Sequence, residues 1–480
     1  MPLACPAAHP SPVSFAAFGS LLTLLFSLPV PPPARAQETP PAVPAILRSD
    51  PVIAAAPTPL FSEAERARIL GYWNQPGRYG IGVRTGEKDG PFVVRLLPEA
   101  SVWLRSYNGA SRPGRAAGPQ KRDAPLADTE VGKGWERWVS AKLTYDRWQS
   151  QQAADAANLQ LGPTGSAALV TAAPPLPGTI PPDLLAAVGN PPPFYTAVLP
   201  RRYTVTFEEG QTLIYTDNIA AATSRNPSYR FAQGVISFGT RLRDLPPKDL
   251  AGLFAQAGLT PFEQQVVKAV SVLEGGFDSV NTYDTGFVSV GFIQFASLGG
   301  GAGSLGAVLK REKETRPDDF ETDFRRFGIT VDDAGTLVVV DPLTGAELRG
   351  PAANIKIIDD KRLIAVFQRA GRSRAFQIAQ IQIAKQQYYP ADDRVMIPVN
   401  GTPQAVKVSD LIRSEAGMAT LFDRKVNTGN IRLLGEVVIR FMRERGLSQP
   451  VQVLPYERAL IPLLKWRTNF LADPSLAQPQ

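Results

Sequence analysis

Thr260-Pro261-Phe262-Glu263 opens a stretch that runs on to Leu273-Glu274-Gly275-Gly276, and its reading decides the fold of the second half of the chain. Thr260 stands where a helix N-cap belongs, Pro261 at the first helical position and Glu263 at the third, the spacing of a capping box. Phe262, Val266, Val267, Val270 and Leu273 then recur at three- and four-residue intervals, which predicts one apolar helix stripe, stopped by the glycine pair. Glu274 continues that spacing from Val267 and Val270, so the pattern sets its carboxylate on the buried stripe at the helix end. A carboxyl short of water and beside the negative end of a helix dipole has its pKa raised toward neutrality, where it can donate a proton. For the helix alone the alternative is a Glu274 side chain turned to solvent or paired with an arginine.

The sequence continues Phe277-Asp278-Ser279-Val280-Asn281-Thr282-Tyr283-Asp284 and then Thr285-Gly286-Phe287-Val288-Ser289-Val290-Gly291-Phe292-Ile293-Gln294-Phe295. A second carboxylate, Asp284, thus follows Glu274 in a polar turn that leads into a glycine-punctuated strand. Glycoside hydrolysis uses two carboxyl groups across the scissile bond, about 5–5.5 Å apart for retention and about 6.5–9.5 Å for inversion. A helix end facing a β-turn suits either distance. Ser289, Asn281, Tyr283 and Gln294 are the candidates to orient a water or hold sugar hydroxyls. Asp278 is too near Glu274 in the chain to stand across a sugar-sized cleft.

This segment resembles the active-site region of the lysozyme superfamily, in particular phage-type lysozymes, at Glu274, Asp284, Ser289 and Gly291. It departs from them by a Glu-to-Asp interval one residue longer and by Ser at the position where Thr is usual. Tyr283–Phe295 is also similar to the Asp-bearing segment of chitosanases, and Gly291-Phe292-Ile293-Gln294 to goose-type lysozymes and lytic transglycosylases. The resemblance covers Glu274–Phe295, and the helical remainder to Gly446 is compatible with it. It implies an α+β fold with a mainly helical lysozyme-like domain over residues 249–446, carrying a small β-hairpin. It further implies that Glu274 protonates the glycosidic oxygen. Asp284, ionised in a wetter turn, would position a water or stabilise an oxocarbenium-like transition state, with Ser289 helping to hold that water. Such chemistry needs no cofactor and no metal. If Asp284 proved dispensable, a lytic transglycosylase with Glu274 as both acid and base would follow.

The composition narrows the chemistry from the other side. The chain of 480 residues has one Cys and one His, Cys5 and His9. Both precede an apolar run, Ser14–Val30, which is followed by Ala34-Arg35-Ala36 and reads as a secretory signal peptide over residues 1–36. Met1–Pro12 has no Lys or Arg, so an uncleaved anchor is the alternative. A mature chain from Gln37, secreted or periplasmic, would hold neither His nor Cys. That excludes Ser-His-Asp triads, Cys nucleophiles, His- or Cys-held zinc and disulfides, and leaves acid/base work to carboxylates, Lys, Tyr or Ser. The 51 Lys and Arg are interspersed with 44 Asp and Glu, a net charge of +7 that suits an anionic cell surface rather than a nucleic acid. No other apolar run reaches membrane-spanning length. The expected partner is peptidoglycan or a related amino-sugar polymer, with peptidoglycan preferred to chitosan because the chain is exported.

Outward from the central stretch, residues 37–59 read as a Pro/Ala-rich linker and 60–160 as a Trp-rich unit. In that unit a helix capped by Ser62 runs to Trp73, strands cover Tyr79–Arg84, Pro91–Leu97 and Ser101–Tyr107, and a helix covers Trp135–Leu159. Its Trp73, Trp103, Trp135, Trp138 and Trp148 either fill a core, the favoured reading, or form a sugar-stacking surface. Residues 161–200 read as a second linker and 201–245 as a small β-rich unit, with strands Tyr203–Phe207, Gln211–Thr216 and Tyr229–Phe238. From Asp249 the pattern is helical apart from a hairpin-like Ile329–Leu348, and 447–480 is a C-terminal helix and tail. There is no internal repeat.

The remaining charged groups read as structural. Asp318, Asp319, Glu321 and Asp323 favour a helix start, while Asp332, Asp333 and Asp341 sit in turns without a calcium-loop spacing. Lys361, Arg362, Arg369, Arg372 and Arg374 read as a solvated helix face that could otherwise meet an anionic glycan. Glu415 and Asp423, on an expected helix Ser409–Val426, are candidates for a far cleft wall. The competing function is a non-catalytic wall-binding protein on a lysozyme-like scaffold.

Overall fold

The computed structural model describes residues 58–84, 90–111, 129–161, 172–217, 225–273 and 275–480. The expected signal segment, its cleavage point, residues 37–57 of the first linker and Glu274 lie outside the described residues. The described chain is mixed α+β, mainly helical with small antiparallel sheets.

Helix α1 (Glu63–Trp73) begins with a capping box, Ser62 and Glu65 each taking the other's backbone N–H. Strands β1 (Tyr79–Val83) and β2 (Val93–Leu96) follow, then helix α2 (Pro98–Ala110). Ser101–Tyr107, expected as a strand, therefore lies inside a helix. Pro98 and Glu99 start it, and Ala100, Trp103, Leu104 and Tyr107 recur at helical spacing and are all buried. Helix α3 (Glu130–Gln160) is capped by Thr129. The expected second linker contains helix α4 (Pro182–Val188) and strand β3 (Tyr195–Val198), which pairs antiparallel with β2. Its Pro/Ala-rich composition conceals two anchors, Leu184 and Phe194, both fully buried, and the Phe194 N–H donates to Asp146 Oδ2 at 2.8 Å.

These elements surround a core of their own, made by Trp103, Trp135, Trp138, Tyr107, Leu184 and Phe194, with Trp103 5.4 Å from the Phe194 ring. Trp73 fills the larger core instead, its Nε1 donating to the Phe327 carbonyl. Four of the five tryptophans are thus packing residues rather than a stacking surface; Trp148 is half-buried.

The small core is an insertion. Strand β1 pairs not with β2 but with β4 (Arg201–Thr206), which pairs in turn with β5 (Thr212–Thr216). Residues 60–245 do not divide into a Trp-rich unit, a linker and a β-rich unit, because α1, β1, β4 and β5 all serve the larger core. Of the expected strand Tyr229–Phe238, only β6 (Ile236–Ser237) and a single bridge, Tyr229 to Asp284, pair as β-structure. Between them Gly234 lies flat on the backbone of Thr282–Tyr283, where an added Cβ would stand 2.4 Å from Tyr283 Cα. Gly234→Ala is expected to cost about 2 kcal/mol or more, read as a lower urea midpoint with an unchanged slope.

Helices α5 (Pro247–Gln256) and α6 (Pro261–Ser271) come next. The α6 capping box forms as read, Thr260 with Glu263, and Val266, Val267 and Val270 are buried. The helix ends at Ser271, though, where the Ser271 hydroxyl donates to the Lys268 carbonyl and Leu273 N–H to the Val270 carbonyl. The helical spacing used to place Glu274 therefore stops short of it. Strands β7 (Val280–Asn281), β8 (Ser289–Val290) and β9 (Phe295–Ala296) then form, with β6, a four-stranded antiparallel sheet in the order β6-β7-β8-β9.

Helices α7 (Gly303–Thr315) and α8 (Pro317–Asp323) lead to strands β10 (Ile329–Val331), β11 (Leu337–Val340) and β12 (Glu347–Arg349), so the expected hairpin has a third strand. Helix α9 (Pro351–Asp359) precedes α10 (Lys361–Ala370), the centre of the larger core, in which Leu363 through Phe367 are fully buried. After α11 (Arg374–Tyr388) the chain departs from the helical reading, with β13 (Arg394–Val399) and β14 (Thr402–Lys407) joined by Asn400-Gly401. Both linking residues have positive φ, as a two-residue hairpin turn requires. Helix α12 (Glu415–Thr428) starts at its Ser414 cap, later than the expected Ser409, because Val408–Asp410 forms a 3₁₀ turn. Helices α13 (Arg432–Arg445) and α14 (Glu457–Leu464) complete the fold. Among the described residues no helix is long and apolar enough to cross a membrane.

Candidate active site

The short sheet β6-β7-β8-β9 is pinned from below. The Ser279 hydroxyl donates to the Gly291 carbonyl at 2.8 Å, and the buried Gln380 on α11 bridges the Phe292 N–H and the Phe277 carbonyl. Gly291 has φ +88°, and an added Cβ would collide with Gln380 Oε1 at 2.1 Å, so this position admits only glycine. Gln294 Nε2 donates to both the Ser279 hydroxyl and the Gly291 carbonyl.

On this base Asn281, Asp284, Ser289 and Gln294 come together along one cleft of about 160 Å³. Asn281 Nδ2 donates to Asp284 Oδ2 at 2.9 Å, and the Gly286 N–H to Asp284 Oδ1 at 2.8 Å. An added methyl at Gly286 would touch Ser289 Oγ at 2.6 Å and Asp284 Oδ1 at 3.1 Å, so the hydroxyl and the carboxylate converge over that glycine. Among the described residues no hydrogen-bond partner engages the Ser289 hydroxyl, which leaves it available to a water or a sugar hydroxyl. The opposite wall is the C-terminal end of α12, Val426 to Gly429, with Tyr388 and Ser304 between.

The turn that carries Asp284 is not wet. Asp284 is only 5% exposed, and burial raises its carboxyl pKa. The Gly286 N–H, the Asn281 amide and the charges of Arg105 and Arg230 pull in the opposite direction without cancelling the rise.

The backbone here is unusual too. Four non-glycine residues among those described have positive φ, and three of them, Phe287, Gln294 and Leu298, lie in this one segment. Left-handed conformations of bulky residues persist only where the surroundings enforce them, and they gather at functional sites.

Tyr283 is not in the cleft. Adjacent residues of an extended chain face opposite sides, and Tyr283 packs on Tyr229 in the small core, its ring centroid 6.3 Å away. Glu415 and Asp423 do not line the cleft either: Glu415 accepts from the Ala477 N–H and Asp423 is ion-paired with Arg467 at 2.6 Å. It is the next turn of the same helix that reaches the site. Asp278 takes the Thr240 N–H and pairs with Arg372, a structural role.

Of the basic residues 361–374, Arg372 and Arg374 are exposed as read, whereas Lys361, Arg362 and Arg369 are not on a solvated face. Lys361 and Arg362 are buried, Arg362 is paired with Asp360 at 2.7 Å, and Arg369 is paired with Glu209 at 2.8 Å. Nor do all four acids of the run 318–323 answer to a helix start, since Asp323 ends α8 and is buried. Sequence reasoning missed Tyr388, Ser304 and Asn427 on the cleft and the two arginines behind Asp284, none of which carries a local signal.

Among the described residues no group of three or more His, Cys, Asp or Glu side chains is arranged to hold a metal ion. Comparison of the chain with protein-family models, curated proteins and solved structures found no match.

Proposed function

We propose that the protein is an exported glycoside hydrolase of lysozyme-like fold that cleaves the glycan strands of peptidoglycan by carboxylate acid/base chemistry. The observation that carries this reading is the convergence of Asp284, Ser289, Asn281 and Gln294 on one cleft, in the segment directly following Glu274. Glu274 protonates the leaving glycosidic oxygen. Asp284, oriented by Asn281 and the Gly286 N–H, accepts a proton from a water that the Ser289 hydroxyl helps to hold. Burial suits Asp284 to that task, since a carboxylate whose pKa is raised toward the working pH is the better proton acceptor.

Digestion of purified sacculi, with products identified by mass, tests the reading. Muropeptide release is expected, reduced about 10–100-fold in Asp284→Asn. The rise in kcat/KM on the acid side should fall above the ordinary carboxylate range, because Asp284 must lose a proton that burial helps it keep. Full release by Asp284→Asn with 1,6-anhydro ends would identify a lytic transglycosylase instead, and cleavage of chitosan but not sacculi a chitosanase. Binding to sacculi without any release would leave a wall-attachment protein.

A further inference from the structure

We propose that the groove between β13 and α13 is a second substrate subsite, which takes the acidic peptide branch of a glycan strand lying in the cleft. This rests on the glycan-cleaving reading above and names a part of the substrate that the cleft itself leaves out.

The two sites share a wall. The cleft ends on Val426 to Gly429, and Gly429 also lines a groove of about 580 Å³ that continues through Arg432 along α13 and faces Arg394 and Met396 on β13. Gly429 ends α12 in the left-handed conformation, φ +74°, so the chain turns there from the one site into the other. A groove of that volume suits a ligand of a few residues, whereas the cleft, at about 160 Å³, takes less.

The groove has the form of a peptide site. Strand β13 pairs with β14 on one edge only, and on the other lies α13 at Gly435. An added Cβ on Gly435 would stand 3.5 Å from the Met396 carbonyl and 3.6 Å from Val395 Cβ, which are ordinary contacts. Packing therefore does not demand glycine there, although inside a helix it costs about 1 kcal/mol against alanine. Its missing side chain leaves the strand edge open, and an extended chain laid along such an edge finds backbone partners.

The charges separate the two sites. The cleft is lined by Asp284 and by no lysine or arginine, and the proposed acid Glu274 would add to its negative charge. The groove is lined by three cations and two acids, of which Lys425 and Asp393 pair with each other at 2.6 Å. Arg394 and Arg432 then stand against Glu436 alone. Among the described residues Arg394 donates only to the Ala405 carbonyl, and the Arg432 guanidinium has neither hydrogen bond nor ion pair. In peptidoglycan the lactyl carboxyl of muramic acid is consumed in the amide bond to the stem peptide, so the charge of an intact strand sits on that peptide. Its small aliphatic groups suit Met396 and Ile439, and its carboxylates suit the two arginines.

The test compares two ligands that differ only in charge. Calorimetric titration of the full chain uses the disaccharide-tetrapeptide released from sacculi and the same compound with its carboxyl groups amidated. The acidic form is expected to bind about tenfold more tightly, with the preference weakening at high salt. Arg394→Gln combined with Arg432→Gln should equalise the two, and the corresponding pair of lysines should restore part of the difference. Equal affinities in the wild type, no binding of either ligand, or a preference that survives the glutamine pair would overturn the subsite. Sacculus cleavage by a wild type that shows no preference would sink this inference alone. The preference without cleavage would sink the hydrolase and leave the subsite standing.

Discussion

Glu274→Gln is expected to stop muropeptide release, a loss of about 10²–10⁴-fold, while sacculus binding and thermal stability stay at wild-type values. The reasoning starts from what surrounds that position in the chain. Before it, the Leu273 N–H closes onto the Val270 carbonyl; after it, the Gly276 N–H donates to Phe238 O at 2.8 Å. Gly276 has no room for a side chain, since an added Cβ would stand 2.0 Å from the Thr240 carbonyl. A glutamine of the same shape leaves those anchors untouched and, in the proposed mechanism, removes only the proton given to the leaving oxygen. Loss of kcat with KM unchanged would mark an interaction made in the transition state. Wild-type release by Glu274→Gln would move the acid elsewhere and end the proposed mechanism.

The second large effect concerns stability. Glu312 on α7 is fully buried, and among the described residues no N–H or hydroxyl donor gives a hydrogen to either of its carboxyl oxygens. Its neighbour is another acid, Asp323 of α8, whose Oδ2 also lacks a donor. Two carboxyl groups in contact require a proton between them. Burial first, and the Asp323 charge second, push the Glu312 pKa up to about 9; burial also raises that of Asp323. A folded-state pKa above the unfolded value means stability that is complete below about pH 4.5 and is lost as the pH rises through about 9. The wild type should therefore weaken steadily across that window. Glu312→Gln supplies a permanent donor to Asp323 and removes the titration, so its advantage should grow with pH to a few kcal/mol near pH 9. Denaturant midpoints of both proteins from pH 5 to 9 would show it. Parallel curves would mean the pair is relieved by groups other than its own proton.

How much of this was legible in the sequence depended on the range of the interaction that settled each feature. Local chemistry was legible: the Ser62–Glu65 and Thr260–Glu263 boxes each span four residues and formed as read. So, in principle, was the Asn400-Gly401 turn after a strand of alternating burial, a short-range signal hidden by the expectation of continuous helix. Ser101–Tyr107 was misread because apolar residues close together satisfy a strand as well as a helix until their phase is counted, and the phase here is helical. In the site, Asp284 and its neighbours Asn281, Ser289 and Gln294 were legible because one turn and two strands bring them together. The dryness of Asp284 was not, since it depends on chain remote in sequence, such as the 229–231 segment that bridges and bonds to Tyr283 and Asp284. Arg105 and Arg230 were invisible for the same reason.

The strand pairing at the root of the small core has a consequence for how such a protein diversifies. The chain leaves the larger body after β1 and returns to it at β4, and these two points are neighbours: the Arg84 N–H donates to the Pro200 carbonyl at 3.3 Å. The two crossings lie one hydrogen bond apart, while the tryptophan-rich module itself also grips the body through Tyr229 and Tyr283 in its core and through the Arg225–Glu136 ion pair at 2.7 Å. Crossings so close together let the inserted chain change in length without moving β1 and β4, whereas exchanging the module whole would strip Tyr229 and Tyr283 of their packing. Arg105 travels with that module, whereas Asp284 and Ser289 stay with the body. A change inside the module is therefore felt first at Tyr283, the residue next to Asp284, and only then at the strands through which the module is inserted.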